Sequence, residues 1–220
     1  VNLKELGLCA GLLVAGASVA GVTTLTATAH AKEASFVQAV NVYEAMVSFP
    51  PPIWVSDGDP RAQSEYFRQQ NGPQFILEQI PKGQKFESWS QLYAVRGDYL
   101  KADQDIPLDS YISMSLQVYV DICGQERISF KPLSGSGASR TILLLCEASP
   151  HAPQGSGYGK KTGEVAVFHF AKVKDTFVKV YHEWRGTRFS AQKPETWPVN
   201  VDTVQQTIDR LQTIRIGPAQ

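Results

Sequence analysis

Two histidines carry most of the chemistry this sequence offers. Lys174-Asp175 reads as a two-residue turn between apolar runs, which sets position 169 opposite 180 and position 182 opposite 167. His169 and His182 then fall diagonally on one face of a hairpin, roughly 7–8 Å apart at their α-carbons. That spacing suits a two-histidine metal pair, with Glu183 turned to the other face and unable to help. Zinc needs three or four ligands, and no third stands out beside them. Two strand histidines bonded to their neighbours is the plainer reading, and no cofactor is expected.

Other candidates are weaker. The loop Gly155-Ser156-Gly157-Tyr158-Gly159-Lys160-Lys161-Thr162-Gly163 invites comparison with a phosphate loop. That motif needs four residues between its glycines and a Lys followed directly by Ser or Thr. Gly155 and Gly159 have only three residues between them, Lys161 intervenes before Thr162, and a strand follows where a phosphate cradle opens a helix. Ser136 and Ser156 sit between glycines without the G-x-S-x-G elbow of a serine hydrolase. Asp57, Asp59, Asp98, Asp103 and Asp105 lie in turn or linker sequence, whereas acid–base catalysis wants carboxylates held in an apolar cleft. The Asp103/Asp105 pair also lacks the rest of a calcium loop.

Such residues need a compartment and a scaffold. Residues 1–31 combine Lys4, an apolar run from Leu6 to about Ala27 and an Ala29-His30-Ala31 end. This is the layout of a signal peptide cleaved after Ala31, so a periplasmic or secreted protein is expected. An uncleaved anchor at residues 6–27 is the rival, since the run is about long enough to span, though it is rich in Gly, Ala and Thr. A membrane contact is expected only in that case. Cleavage leaves residues 32–220, one domain of ordinary size. Of 21 basic and 21 acidic residues, only Lys4 and Glu5 lie in the leader, so 20 of each remain. A neutral chain has no overall pull on nucleic acid or anionic lipid. Cys9 leaves with the leader, and Cys123 and Cys146 remain as one pair for one bridge in an oxidising compartment.

The chain then reads in order. Residues 35–47 suit a strand or a short helix. Phe49-Pro50-Pro51-Pro52-Ile53-Trp54-Val55 reads as an extended edge segment, because proline cannot donate to a ladder. Residues 61–72 look like a short polar helix or loop. Phe75–Ile80 fits a short buried strand. Trp89, Leu92, Tyr93 and Val95 predict a helix opened by Glu87 or Ser88 and stopped at Gly97. Leu108, Tyr111, Ile112, Leu116, Tyr119, Val120 and Cys123 predict a second helix. Four strands follow at 127–133, 140–148, 163–173 and 176–184, the last two as a hairpin. A final helix carries Val204, Ile208, Leu211 and Ile214, capped by Asp202 or Thr203. Strands gathered together with helices outside the run argue α+β: an antiparallel sheet of about four to six strands flanked by helices.

Phe75-Ile76-Leu77-Glu78-Gln79-Ile80-Pro81-Lys82-Gly83-Gln84, followed by Glu87-Ser88-Trp89-Ser90-Gln91-Leu92, resembles a pattern in uncharacterised exported bacterial proteins. There a strand and turn lead into a helix opened by a Trp. Cys146, the Gly163-Glu164 strand entry, Tyr181 with Arg185-Gly186 at a strand exit, and the terminal amphipathic helix are also similar. Over about residues 45–215 the architecture resembles the Mog1/PsbP-like group, an antiparallel sheet covered by helices on both sides. The resemblance implies a fold and a binding or assembly role, with no catalytic residue to carry across. The expected function is thus a non-enzymatic exported domain that binds an envelope protein or a small ligand. Its contacts are expected at the Pro-rich edge, Phe49 and Trp54, and at the loop carrying Trp197. The alternative is an exported hydrolase or metalloenzyme using His169 and His182.

Overall fold

A computed structural model describes residues 37–101, 105–135, 137–153 and 159–219. Its elements run β1 (Gln38–Val42), β2 (Ala45–Phe49), α1 (Pro60–Gln63), β3 (Ser64–Asn71), β4 (Gln74–Pro81) and β5 (Gln91–Tyr99). Then come α2 (Leu108–Cys123), β6 (Ile128–Ser134), β7 (Ser139–Cys146), β8 (Thr162–Val173), β9 (Thr176–Thr187), α3 (Val201–Leu211) and β10 (Arg215–Pro218). The expected leader at 1–31 with Cys9, the loop at 154–158, Ser136 and Asp103 lie outside the described residues. No helix among the described residues is long and apolar enough to cross a membrane.

Two antiparallel sheets form, one of three strands in the order β1-β2-β10 and one of seven in the order β3-β4-β5-β9-β8-β7-β6. The fold is α+β, with more strands than the four to six expected. The β8–β9 hairpin turns at Lys174-Asp175, where Lys174 takes a left-handed φ of 51°. Its register sets His169 opposite Val180 and Val167 opposite His182, as the turn position requires.

The middle of the seven-stranded sheet is covered on both faces, and this explains the main departure from the sequence reading. Leu92, Tyr93, Ala94 and Val95 are all buried, so the segment lacks the polar alternation of a half-exposed strand. It is β5, not the helix that its apolar spacing suggests, and Gly97 lies inside it. Residues 61–72 give a four-residue helix and then β3, an edge strand whose solvated faces make it polar. Residues 38–49 form a hairpin, so the strand reading of that region is the right one. Pro50–Val55 runs without ladder pairing, as three prolines dictate. Asn200, not Asp202 or Thr203, caps α3 by accepting from the Thr203 N–H at 2.8 Å.

Each face has its own core. Val165, Val167, Val178, Val180 and Trp184 pack on one side against the three-stranded sheet and α3, with Val47, Val204 and Ile208. Ala166, Phe168, Phe170, Phe177 and Tyr181 face α2 through Leu108, Tyr111, Ile112 and Leu116. Cys123, the last residue of α2, is joined to Cys146, the last of β7, with α-carbons 5.8 Å apart.

Candidate functional site

The expected metal pair does not gather further ligands. His182 lies on the α3 side, stacked on Trp184 at 4.3 Å between ring centroids and edged by Trp54 at 5.3 Å. Burial pulls its imidazole down to about 3, so it stays neutral. His169 shares that face and meets the Thr141 hydroxyl through Nδ1 at 3.0 Å. No group of three or more His, Cys, Asp or Glu able to hold a metal stands among the described residues. The space beside His182 and Tyr93, under Pro50 and Pro51, is about 10 Å³. That is room for a single water, not a substrate.

The expected binding anchors are also placed differently. Phe49 is 1 % exposed and belongs to the core, its ring 6.0 Å from that of Tyr93; it cannot meet a partner without unfolding β2. The correction has a simple cause, since position 49 ends a strand whose inward face packs on the large sheet. Trp54 and Trp197 are half-buried. Their indole N–H groups donate inward, to the Ser64 hydroxyl at 3.1 Å and the Ser190 carbonyl at 3.1 Å.

The concentration of chemistry is on the opposite face, beneath α2. Along β9, Val178, Val180 and His182 point to one core, while Lys179, Tyr181 and Glu183 point to the other. Neighbouring strands complete cross-strand rows. Arg96 of β5 is directly opposite Lys179, and Ala94 is opposite Tyr181. One row further, Arg185 is opposite Glu164 of β8, with the guanidinium donating to the carboxylate at 2.9 Å and lying 3.5 Å over the Trp89 ring.

Helix α2 supplies two hydroxyls to this floor. Tyr111 donates to Asp98 at 2.6 Å, and Tyr119 donates to Glu183 at 2.5 Å. Tyr111 marks the flank of α2 that overlooks β5, while Tyr119 lies under the helix above β9. Met114 lies three residues beyond Tyr111 and Val118 four beyond Met114 on the Tyr111 flank, and they are 55 % and 57 % exposed. The opposite flank is tied to β7 by Asp109 and Arg140, 3.2 Å apart. The strip between the Met114 flank and β4–β5, the groove, has apolar side chains on the helix side and ionisable groups beneath, of which Lys179 and Glu183 are almost wholly buried. Phe67 of β3, its ring 5.9 Å from Phe86, stands at the far rim.

Burial dominates the floor's electrostatics. Glu183 is 4 % exposed, and burial, reinforced by the charge of Glu164, pushes its carboxyl up to about 8. Lys179 is 7 % exposed, and burial draws its ammonium down to about 8. Glu183 in the folded state holds a proton that the unfolded chain releases near 4.5, so stability falls as pH rises from there towards 8. Lys179 acts in the other direction. The unfolded chain holds its proton up to about 10.5, so stability recovers as pH rises from 8. Glu183→Gln should abolish the fall on the acid side and stabilise the protein at pH 8, by on the order of 2 kcal/mol. Urea midpoints measured from pH 5 to 10 check this; parallel profiles for the two proteins would refute it.

Sequence reading missed this floor, although β9 announces it: Lys179 and Glu183 alternate with valine and histidine at period two inside a fully covered strand. Comparison with known proteins adds little to that geometry. No family model matches the chain, and no curated protein matches it. Among solved structures, a point mutant of the protein Mog1 aligns at a TM-score of 0.44 and 11 % identity, over 82 % of this chain and 95 % of that one. The Saccharomyces cerevisiae Ran-binding protein Mog1p aligns at 0.43 and 11 %, with the same two coverages. This is a loose likeness of fold to the group the sequence resembles, and it carries no residue and no ligand across.

Proposed function

We propose that this chain is an exported, non-catalytic binding domain whose partner, a protein of the cell envelope, lies along the groove between α2 and β4–β5. The observation that carries the reading is the company Met114 and Val118 keep. Two large apolar side chains stand exposed beside Tyr111, whose hydroxyl reaches the buried Asp98. Apolar anchors beside desolvated polar groups are how protein interfaces concentrate their binding energy, and clustered exposed apolar side chains mark interaction sites. Export is supported by the layout of residues 1–31 and by the Cys123–Cys146 bridge, which persists in oxidising compartments.

Two measurements test the proposal. Amino-terminal sequencing of protein from its native source should begin at Lys32; a retained leader would refute cleavage. A photo-crosslinking residue at Met114 or Val118 should trap an envelope protein that one at Ser113, on the outer face of α2, does not. Met114→Glu and Val118→Glu should each weaken binding of that protein about tenfold, which is about 1.4 kcal/mol. Equal crosslinking at all three positions, or unchanged affinity, would overturn the siting.

A further inference from the structure

Lys179 and Arg96 share an arrangement that a folded sheet does not adopt without compensation. They lie directly opposite each other on adjacent strands, where like charges destabilise a pair. Arg96 is half exposed and has Asp98 at 3.4 Å. Asp98 Oδ2, the oxygen nearest Arg96, also accepts the Tyr111 hydroxyl. Lys179 has no carboxylate at ion-pair distance; Glu183, Asp98 and Glu164 act on it only through their charge. Its ammonium lies 5.4 Å from the centre of the Phe168 ring and 4.9 Å from that of Tyr181. It makes no hydrogen bond and no ion pair among the described residues. Glu183 is on the same face but four residues along the strand, roughly 13 Å away at the α-carbon, and is held by Tyr119. A buried charge costs a great deal unless it is paired, and two aromatic faces offset only part of that cost.

We infer that Arg96 and Lys179 together form a binding site for a single carboxylate group of the groove's ligand, an inference that rests on the groove reading above. The guanidinium offers a planar fork that matches a carboxylate. The Lys179 ammonium adds a point charge from the floor, and Phe168 and Tyr181 supply the apolar walls that exclude water. A monoanion fits better than a phosphate dianion, because Asp98 already stands beside Arg96 and repels a second negative charge. The acidic group belongs to the partner as a side chain or a chain terminus, and the site treats the two alike.

Phenylacetate, inorganic phosphate and benzylamine serve as probes, titrated at constant ionic strength against the full mature protein. Carbon-13 shifts of the Lys179 side chain and of the arginine side chains are followed by NMR. Phenylacetate should shift Lys179 and Arg96 saturably, phosphate at least tenfold more weakly, and benzylamine not at all. Lys179→Met, which replaces the charge by an apolar side chain of similar length, should weaken phenylacetate at least tenfold with the fold intact by circular dichroism. Lys179→Arg keeps the charge and should retain most of the affinity. Equal response to phosphate, absence of saturation, or indifference to Lys179→Met would each overturn the carboxylate site. Repeating the titration with Val118→Glu separates the two readings. A carboxylate site that survives while partner crosslinking is absent removes the groove partner alone. Crosslinking at Met114 and Val118 without phenylacetate binding removes the carboxylate site alone.

Discussion

Gly97→Ala should destabilise the protein by about 3 kcal/mol, towards the upper end for overpacked cores. A β-carbon at position 97 would overlap Cγ1 of Val42, well inside van der Waals contact. Gly97 sits mid-strand in β5 and faces the three-stranded sheet, and Val42 is wholly buried at the end of β1. Valine is stiff about its first side-chain torsion, so it cannot swing aside and the β1–β2 hairpin must lift. The loss should appear as a lowered urea midpoint, with amide exchange accelerated first in residues 38–49. Val42→Ala in the same chain should restore part of the stability, giving a coupling of opposite sign to the single losses. A Gly97→Ala protein as stable as its parent would mean that the small sheet does not seat on β5 as described.

The same contact explains why β5 was illegible as a strand. A glycine after an apolar run reads as a helix stop, because in sequence there is no sign that another sheet presses on that point. Elements shaped by local physics were legible. α2 shows its stripe because one face packs on the sheet and the other meets water. The β8–β9 hairpin announces its turn through Lys174-Asp175, and its register follows by counting. β3 was hidden for the opposite reason to β5: an edge strand with both faces solvated carries no apolar period. β10 has four residues, and its pairing with β2 is a contact between distant parts of the chain that composition does not record.

The candidate site divides in the same way. The diagonal relation of His169 and His182 was readable because it depends on one turn. What surrounds them was not, since Trp54, Tyr93 and Thr141 arrive from other strands and segments. Phe49 and Trp54 drew notice as aromatics beside prolines, a pattern that cannot tell a surface anchor from the edge of a core. The floor under α2 was half visible. Lys179 and Glu183 stand out inside β9, but that Arg96 would be brought opposite Lys179 depends on β5 pairing there. A reading that made residues 87–97 a helix removed that partner.

Replacing Cys123 and Cys146 together by serine should cost about 3 kcal/mol, the value for closing a loop of about two dozen residues. In a chain of this length that corresponds to a melting temperature lowered by roughly 6–12 °C. The bridge ties the end of α2 to the end of β7, only one turn beyond Tyr119, whose hydroxyl holds Glu183. Without it, the last turn of α2 should fray, and amide exchange at residues 116–123 should rise more than in β8 or β9. The groove wall should loosen from the same end, so Glu183 would gain water and its carboxyl should move back towards the ordinary range. Dithiothreitol added to the unaltered protein should reproduce both effects. If the double serine variant melts within about a degree of its parent, or if the native protein presents two thiols to a thiol reagent on unfolding without reductant, the bridge is not what fixes this helix over the charged floor.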